Sequence, residues 1–423
     1  MLTFSAIVAG QIIFAAALIQ LSIAISFGRW FSKKTSKTAK PADQAMTAVI
    51  MSVRGCDPTF EASLTGVLLQ QYADYQIHLV VDHQDDPAWN VATEIKSKFD
   101  RDDRLCIHAM KTPRDTCSLK CHSILQAVEH LTDEIKFVAF LDADVAPHST
   151  WLAELTGPLQ DKEIGGVTGS QWFEPPIPTG PGSLIRSAWN AGALVFSVYF
   201  ANPWAGSFAM RRSTLESANL ISTWSKSIVD DGPLKKAIQE QGLKIELAPS
   251  LIMINREHCS AAYANRWVTR MLTWSRLYED TFFLSVIHSC FSNVLMLTNF
   301  TILIIAILLG NATAIVASAT ALLLSGCLST WAYSVSRKVA ARSAQLRGET
   351  IGNTTLWRLI KLLLLVPACQ LIYGASSIMS LCCKRVRWRQ IEYDLSSAPN
   401  FKRLNYQPFN PEPDNSSNSS NSI

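Results

Sequence analysis

Charge is scarce in this chain of 423 residues: Asp, Glu, Lys and Arg make up 17% against 48% hydrophobic residues, too apolar a balance for an ordinary soluble protein of this length. The net charge of +4 is small and collects beside apolar segments, which suits membrane topology and argues against nucleic acid as a partner. Histidine is sparse too, and the eight present show no pairing that suggests a metal. The ten cysteines are scattered, three of them (Cys369, Cys382 and Cys383) in a late apolar stretch, so no disulfide framework is indicated. Cys117-Ser118-Leu119-Lys120-Cys121-His122 offers three potential ligands at a spacing that does not suit a metal.

The apolar excess lies at the two ends. Leu2 to Phe27 has no charged residue and is long enough to span a bilayer, and Arg29, Lys33, Lys34, Lys37 and Lys40 follow it. It reads as an uncleaved anchor with its amino terminus outside, because a signal peptide would carry a basic start and a shorter core. After Asp280, Phe282 to Leu309 and Ala312 to Ser336 form a hairpin of two spans that turns near Gly310-Asn311. Arg337, Lys338, Arg342 and Arg347 then return the chain to the cytosol. A third apolar stretch, Leu359 to Cys383, contains Pro367 and precedes Lys384-Arg385-Val386-Arg387-Trp388-Arg389. A full crossing would put that basic cluster outside, against the positive-inside tendency, so either the segment dips and returns at Pro367, the preferred reading, or it spans and the rule is broken here. Pro411 to Ile423 is Pro, Asp, Asn and Ser, a composition that predicts disorder.

Chemistry is signalled between the apolar ends. Phe137 to Leu141 suits a strand buried on both faces, and it stops on Asp142-Ala143-Asp144, two carboxylates at the strand's exit. Ligands of open α/β sheets bind at such exits. One carboxylate can hold a divalent cation and the other a sugar or ribose hydroxyl. Met46 to Val53 runs into Arg54-Gly55-Cys56-Asp57, and Ile77 to Val81 into Asp82-His83-Gln84-Asp85-Asp86, so three apolar strands end in polar residues. Helical patterns with Leu64, Val67, Leu68 and Tyr72, and with Ile124, Val128 and Leu131, separate them, which predicts an α/β domain with a doubly wound, parallel sheet. Downstream, Val229-Asp230-Asp231-Gly232-Pro233 places a carboxylate pair just before a helix.

In order, Val53-Arg54-Gly55-Cys56-Asp57-Pro58, Val81-Asp82, Leu119-Lys120-Cys121, Asp142-Ala143-Asp144, Val229-Asp230-Asp231 and Arg270-Met271-Leu272-Thr273-Trp274 span residues 46 to 280. The set resembles membrane-bound family 2 glycosyltransferases of the GT-A fold, and more closely the ceramide glucosyltransferases and their bacterial relatives. The resemblance implies Arg54 among the donor-binding residues, Asp82 at the uracil and ribose of a UDP-sugar and Lys120 near its phosphates. It puts Asp142 and Asp144 at the sugar-phosphate and a divalent metal, Mg2+ or Mn2+, and makes Asp231 the general base. Asp230 is then left to cap the helix near Pro233. No separate nucleophile is called for, so the implied outcome is inversion.

The chain departs from that pattern at the closing motif, where Thr273 stands in place of the Arg of an Arg-Trp pair. In this register Trp274 would line the acceptor site, and Arg270 or Arg276 would supply the missing charge. An earlier register, Tyr263-Ala264-Asn265-Arg266-Trp267, would use Arg266 instead. The loop Glu174 to Gly182 is too rich in Pro and Gly for regular structure, and a semi-apolar helix from Leu184 to Phe200, suited to a headgroup layer, follows it. Trp204, in the next loop, resembles an acceptor-facing residue; the alternative there is a core strand with a tight turn. Arg387-Trp388-Arg389-Gln390 with Tyr393 resembles the Trp-Arg-Gly and Tyr pair of bacterial relatives with Gln390 for Gly, or else is a basic patch on the membrane surface.

The expected organisation is an anchor at 1–28, a cytosolic GT-A domain at 45–280, a membrane hairpin at 281–336, a basic loop with an apolar membrane segment at 337–390 and a tail at 391–423. The expected activity is hexose transfer from a UDP-sugar to a lipid hydroxyl, ceramide or another amphiphile. The alternatives are a polysaccharide synthase and a non-catalytic membrane scaffold.

Overall fold

A computed structural model describes residues 1–35, 44–100, 102–175 and 177–410. Lys37, Lys40 and the segment 411–423, expected to be basic flank and disordered tail, lie outside the described residues.

Seven strands form one sheet: β1 (Thr47–Val53), β2 (Tyr75–Val81), β3 (Leu105–Ala109), β4 (Phe137–Asp142), β5 (Ile164–Phe173), β6 (Ser207–Arg211) and β7 (Lys244–Asn255), in the order β3-β2-β1-β4-β6-β5-β7. In β4, Phe137, Ala139 and Leu141 enter one core and Val138 and Phe140 the other, the period-2 alternation of a strand covered on both sides. The first core is closed by helices Phe60–Leu68, Pro87–Phe99 and Trp151–Thr156, the second by helix Leu119–Val128 with Trp224 and Ile238.

The expected doubly wound α/β domain is present, but its sheet is mixed rather than parallel. β1 to β4 are parallel, whereas β6 runs antiparallel to both β4 and β5. The reason lies in helix Pro181–Tyr199. Its first turns bond Cys259 and Phe173 at the end of β5, while the residues after it bond Glu279 and pack beside Asp142. The helix therefore starts and ends at the same end of the strands, and the next strand must run back.

Four described helices are long and apolar enough to cross a membrane by length and composition: Leu2–Thr35, Phe282–Leu308, Ala312–Leu346 and Leu356–Cys382. The first lies along the third through small residues; a Cβ on Gly10 would stand 2.9 Å from Cβ of Ala321. Leu356–Cys382 is one continuous helix with Pro367 inside it, so the expected break at Pro367 is absent. Its start is nevertheless tied to the α/β domain through Arg358 and Glu174, and its end through Arg276, which donates to the carbonyls of Leu381 (2.6 Å) and Cys383 (2.7 Å). Both ends thus reach the α/β domain. The basic cluster 384–389 stays there without a second segment to carry it back.

Three imidazoles stack on the sheet, His78 on His108 with centroids 5.6 Å apart and His108 on His130 at 4.4 Å. Burial, reinforced by His108 and His130, pushes His78 down to about 4. An unfolded His titrates near 6.5, so below that pH the unfolded chain takes up a proton the folded chain refuses. Stability is expected to be constant above pH 6.5 and to fall by about 3 kcal/mol between there and pH 4. Unfolding curves of the solubilised protein at pH 7.5 and 5 check this, and His78→Gln should flatten the difference.

Candidate active site

The register aligns the strand ends. Val53 pairs with Val81 and Ser52 with Asp142, so Arg54, Asp82 and Asp142 leave the sheet side by side. Arg54 and Asp82 form a buried ion pair, and Arg54 also donates to the carbonyls of Arg389 (3.0 Å) and Gln407 (2.8 Å). Gly55 follows at φ +70°, a conformation that L side chains resist, and so turns the chain away from the sheet. Its N–H donates to Asp86 (2.8 Å).

Lys120 sits in the first turn of helix Leu119–Val128, whose start Ser118 caps by accepting from the N–H of Cys121. The ammonium bridges Asp142 (2.5 Å) and Asp230 (2.8 Å). Burial opposes its charge, but the two carboxylates outweigh that and hold Lys120 well above the usual lysine range. Asp230 therefore pairs with Lys120 instead of capping a helix; the following helix, Leu234–Glu240, has Pro233 at its N-cap and no side-chain cap. Asp231 makes no ion pair or side-chain hydrogen bond among the described residues. Burial and the neighbouring Asp230, with Asp142 and Glu279, lift its carboxyl to about 7 against the pull of Lys120. A base near neutrality suits proton removal from an alcohol at cellular pH. The turn is clamped from behind: a Cβ on Gly232 would meet the Tyr278 ring at 2.5 Å.

Asp144 makes no hydrogen bond among the described residues. Burial and the carboxylates of Asp142, Asp57 and Glu257 raise it to about 7, with Arg389 opposing. This corner has an excess of acid that a divalent cation would neutralise, so the donor set fits a hard metal ion. Asp82, His83 and Asp86 also bring ligand atoms within 4.8 Å of one another. That cluster fits less well, because Arg54 neutralises Asp82 and Asp86 accepts the N–H groups of Gly55 and Ala88 as the cap of helix Pro87–Phe99.

Helix Ala261–Tyr278 carries the closing motif. Thr273 is fully buried and bonds back to the carbonyl of Thr269 (2.8 Å), so it offers nothing to a ligand. Arg276 is engaged with the end of helix Leu356–Cys382, and Arg266 is exposed. Arg270 differs from both: its Nε and Nη1 are buried without a hydrogen-bond partner among the described residues, and it feels the charges of Asp144 and Arg389. Trp274 packs with the cluster of Ile391, Tyr393 and Phe401. Trp204 lies at the head of β6, its ring over Gly206; a Cβ there would stand 2.2 Å from the indole and 2.6 Å from Oδ2 of Asp142. The stretch is a core strand with a tight turn, preceded by a tryptophan beside the DxD.

A second sheet comes from residues assigned to the loop and tail: β8 (Arg385–Trp388), β9 (Ile391–Asp394) and β10 (Lys402–Arg403). The β8–β9 turn places Arg389 at φ +46° and Gln390 at φ +69°, which explains a glycine in the related pattern. Arg389 pairs with Asp57 and donates to the carbonyl of Arg54 (2.6 Å), bringing a third cation to the DxD corner. Tyr393 accepts the N–H of Leu119 (3.3 Å), tying the hairpin to the Lys120 helix. Sequence reasoning quoted Arg389 and Asp57 without assigning them to the site and missed Glu257 and Glu279. Only the basic run around Arg389 gave a signal.

A family model described as glycosyl transferase family 21 matches residues 10–400. Among solved structures, this chain is similar to the mannosyltransferase PcManGT from Pyrobaculum calidifontis in complex with GDP-Man and Mn2+, at 16% identity over 90% of this chain and 99% of that one, with a TM-score of 0.49. It is also similar to glucosyl-3-phosphoglycerate synthase from Mycobacterium tuberculosis in complex with Mn2+ and UDP-glucose, at 15% identity over 54% of this chain and 79% of that one, with a TM-score of 0.36.

Proposed function

The chain belongs to glycosyl transferase family 21, with a GT-A-like α/β domain between long apolar helices, and on that premise we propose that it moves a hexose from a UDP-sugar to the hydroxyl of a membrane lipid with inversion. The observation that supports this most is the buried Arg270 guanidinium, which has no hydrogen-bond partner among the described residues and feels the charge of Asp144. Arg54 and Asp82 would hold the nucleoside. Arg270 would face the diphosphate in the role that Thr273 cannot fill, with Lys120 keeping Asp142 and Asp230 in place. Asp142 and Asp144 would hold Mg2+ or Mn2+, which supplies charge neutralisation of the departing diphosphate. The acceptor O–H gives its proton to Asp231 as its oxygen bonds the anomeric carbon and the bond to the diphosphate oxygen breaks. Trp204 and Trp274 would flank the acceptor.

The apolar helices support a lipid acceptor and a bilayer location, and the basic flanks support a cytosolic catalytic domain. The deciding experiment gives membranes containing this chain a panel of radiolabelled UDP- and GDP-sugars, with Mg2+ or Mn2+ and with chelator. Metal-dependent label in the organic-extractable fraction is expected. Label in a water-soluble polymer would replace this reading with a synthase, and no label would favour the scaffold. Asp144→Asn is expected to weaken Mg2+-dependent UDP binding by about tenfold or more, read by titration with and without the metal.

A further inference from the structure

We propose that the carboxy-terminal segment Leu404–Asn410 occupies the nucleoside corner of the donor site as an intramolecular competitor, and that donor binding displaces it; this rests on the reading of Arg54 and Asp82 as that corner. Both carboxylate oxygens of Asp82 are engaged by the segment. Oδ2, already paired with Arg54, accepts the N–H of Phe409 (2.9 Å), and Oδ1 accepts the hydroxyl of Tyr406 (3.4 Å). The carbonyl of Gln407 accepts from Arg54 (2.8 Å), and that of Phe409 lies 3.1 Å from Nε2 of His83.

The rings complete the likeness to a base. Phe409 covers Gly55 so closely that a Cβ there would stand 2.6 to 2.9 Å from three ring atoms. The Arg54 guanidinium lies 5.9 Å from the Tyr406 ring centroid and 5.7 Å from that of Phe409. A flat ring, an N–H aimed at a buried carboxylate and a carbonyl facing a donor are the features by which a uracil would be read at this place. A nucleoside and the segment cannot both bond Asp82 in this way.

The segment is held in a manner that permits release. Upstream it is fixed: Arg403 donates its N–H to Asp115 (2.8 Å) and Leu404 to Glu392 (3.0 Å). From Leu404 to Asn410 there is no regular structure, and Tyr406 and Phe409 are half-buried while the others are exposed. Gln390 donates to the carbonyl of Asn410 (3.1 Å) at the last described residue of the segment. Such a strap has a fixed base and few ties along its described length, and a tethered competitor raises the apparent donor Kd by the reciprocal of the fraction of time the site stands free.

The test uses the full-length protein in detergent and its Tyr406→Ala/Phe409→Ala variant. Titration with UDP, and with GDP alongside, in Mg2+ is combined with hydrogen exchange of the 404–410 peptide. A segment seated nine-tenths of the time predicts about tenfold tighter UDP binding by the variant. UDP should also raise exchange of the segment in the unmodified chain. Equal or weaker binding by a folded variant, or a segment that stays protected under saturating UDP, overturns the proposal while leaving the donor site standing. If neither chain binds either nucleotide, the donor-site reading falls and the proposal with it. Should the double variant not fold, Phe409→Pro, which removes the N–H given to Asp82, carries the same expectations.

Discussion

Asp231→Asn is expected to lower sugar transfer by about 10²- to 10⁴-fold while UDP binding stays within about twofold of the unmodified chain. Asn keeps the shape of the side chain and discards its basicity, so only a step that needs a proton acceptor is affected. Asp231 is singled out because its partner in the pair is otherwise engaged. Asp230 is bonded to Lys120, which also holds Asp142, so Asp230→Asn would disturb the DxD and should weaken binding as well as transfer. The contrast between the two variants, measured as single-turnover transfer and as UDP affinity, separates a base from a positioning residue. Unaltered turnover in Asp231→Asn would end the assignment.

The strand ends were legible because each rests on a local pattern. An apolar run that stops at a polar residue marks where a buried strand leaves a sheet, and Arg54, Asp82 and Asp142 stand at such stops. What failed to show were features set by distant contacts. β6 is five residues long and its direction follows from a helix that begins and ends at one end of the strands, which no periodicity in Ser207–Arg211 encodes. The choice among Arg266, Arg270 and Arg276 could not be made from spacing, since it depends on which guanidinium is already engaged, and Arg276 is engaged by carbonyls more than a hundred residues away. Arg389 reaches Asp57 only because the last long helix brings its end back to the catalytic domain. Pro367 misled in a simple way. A proline removes one N–H from a helix but need not end it when packing holds both flanks.

The second large effect is expected far from the chemistry. Glu174, at the end of β5, accepts from Trp172 (2.9 Å) and pairs with both Arg337 and Arg358, all three ions being buried. Arg337 belongs to helix Ala312–Leu346 and Arg358 to helix Leu356–Cys382, so one carboxylate joins the α/β sheet to two of the apolar helices. Around it, Arg337 also donates to Thr354 (2.5 Å) and to the carbonyl of Gly352, and Arg358 to the hydroxyl of Tyr333 (3.1 Å). Glu174→Ala leaves two buried guanidinium groups without their anion, which costs about 3–5 kcal/mol. A much lower unfolding temperature in detergent, with loss of folded yield, is expected. Replacing all three ions together by Met removes the unpaired charge along with the pair, and should recover most of that loss. If the triple variant is as unstable as Glu174→Ala, the loss comes from the packing at this junction rather than from its charge. If Glu174→Ala unfolds like the unmodified chain, the junction is not what holds the catalytic domain to its helices.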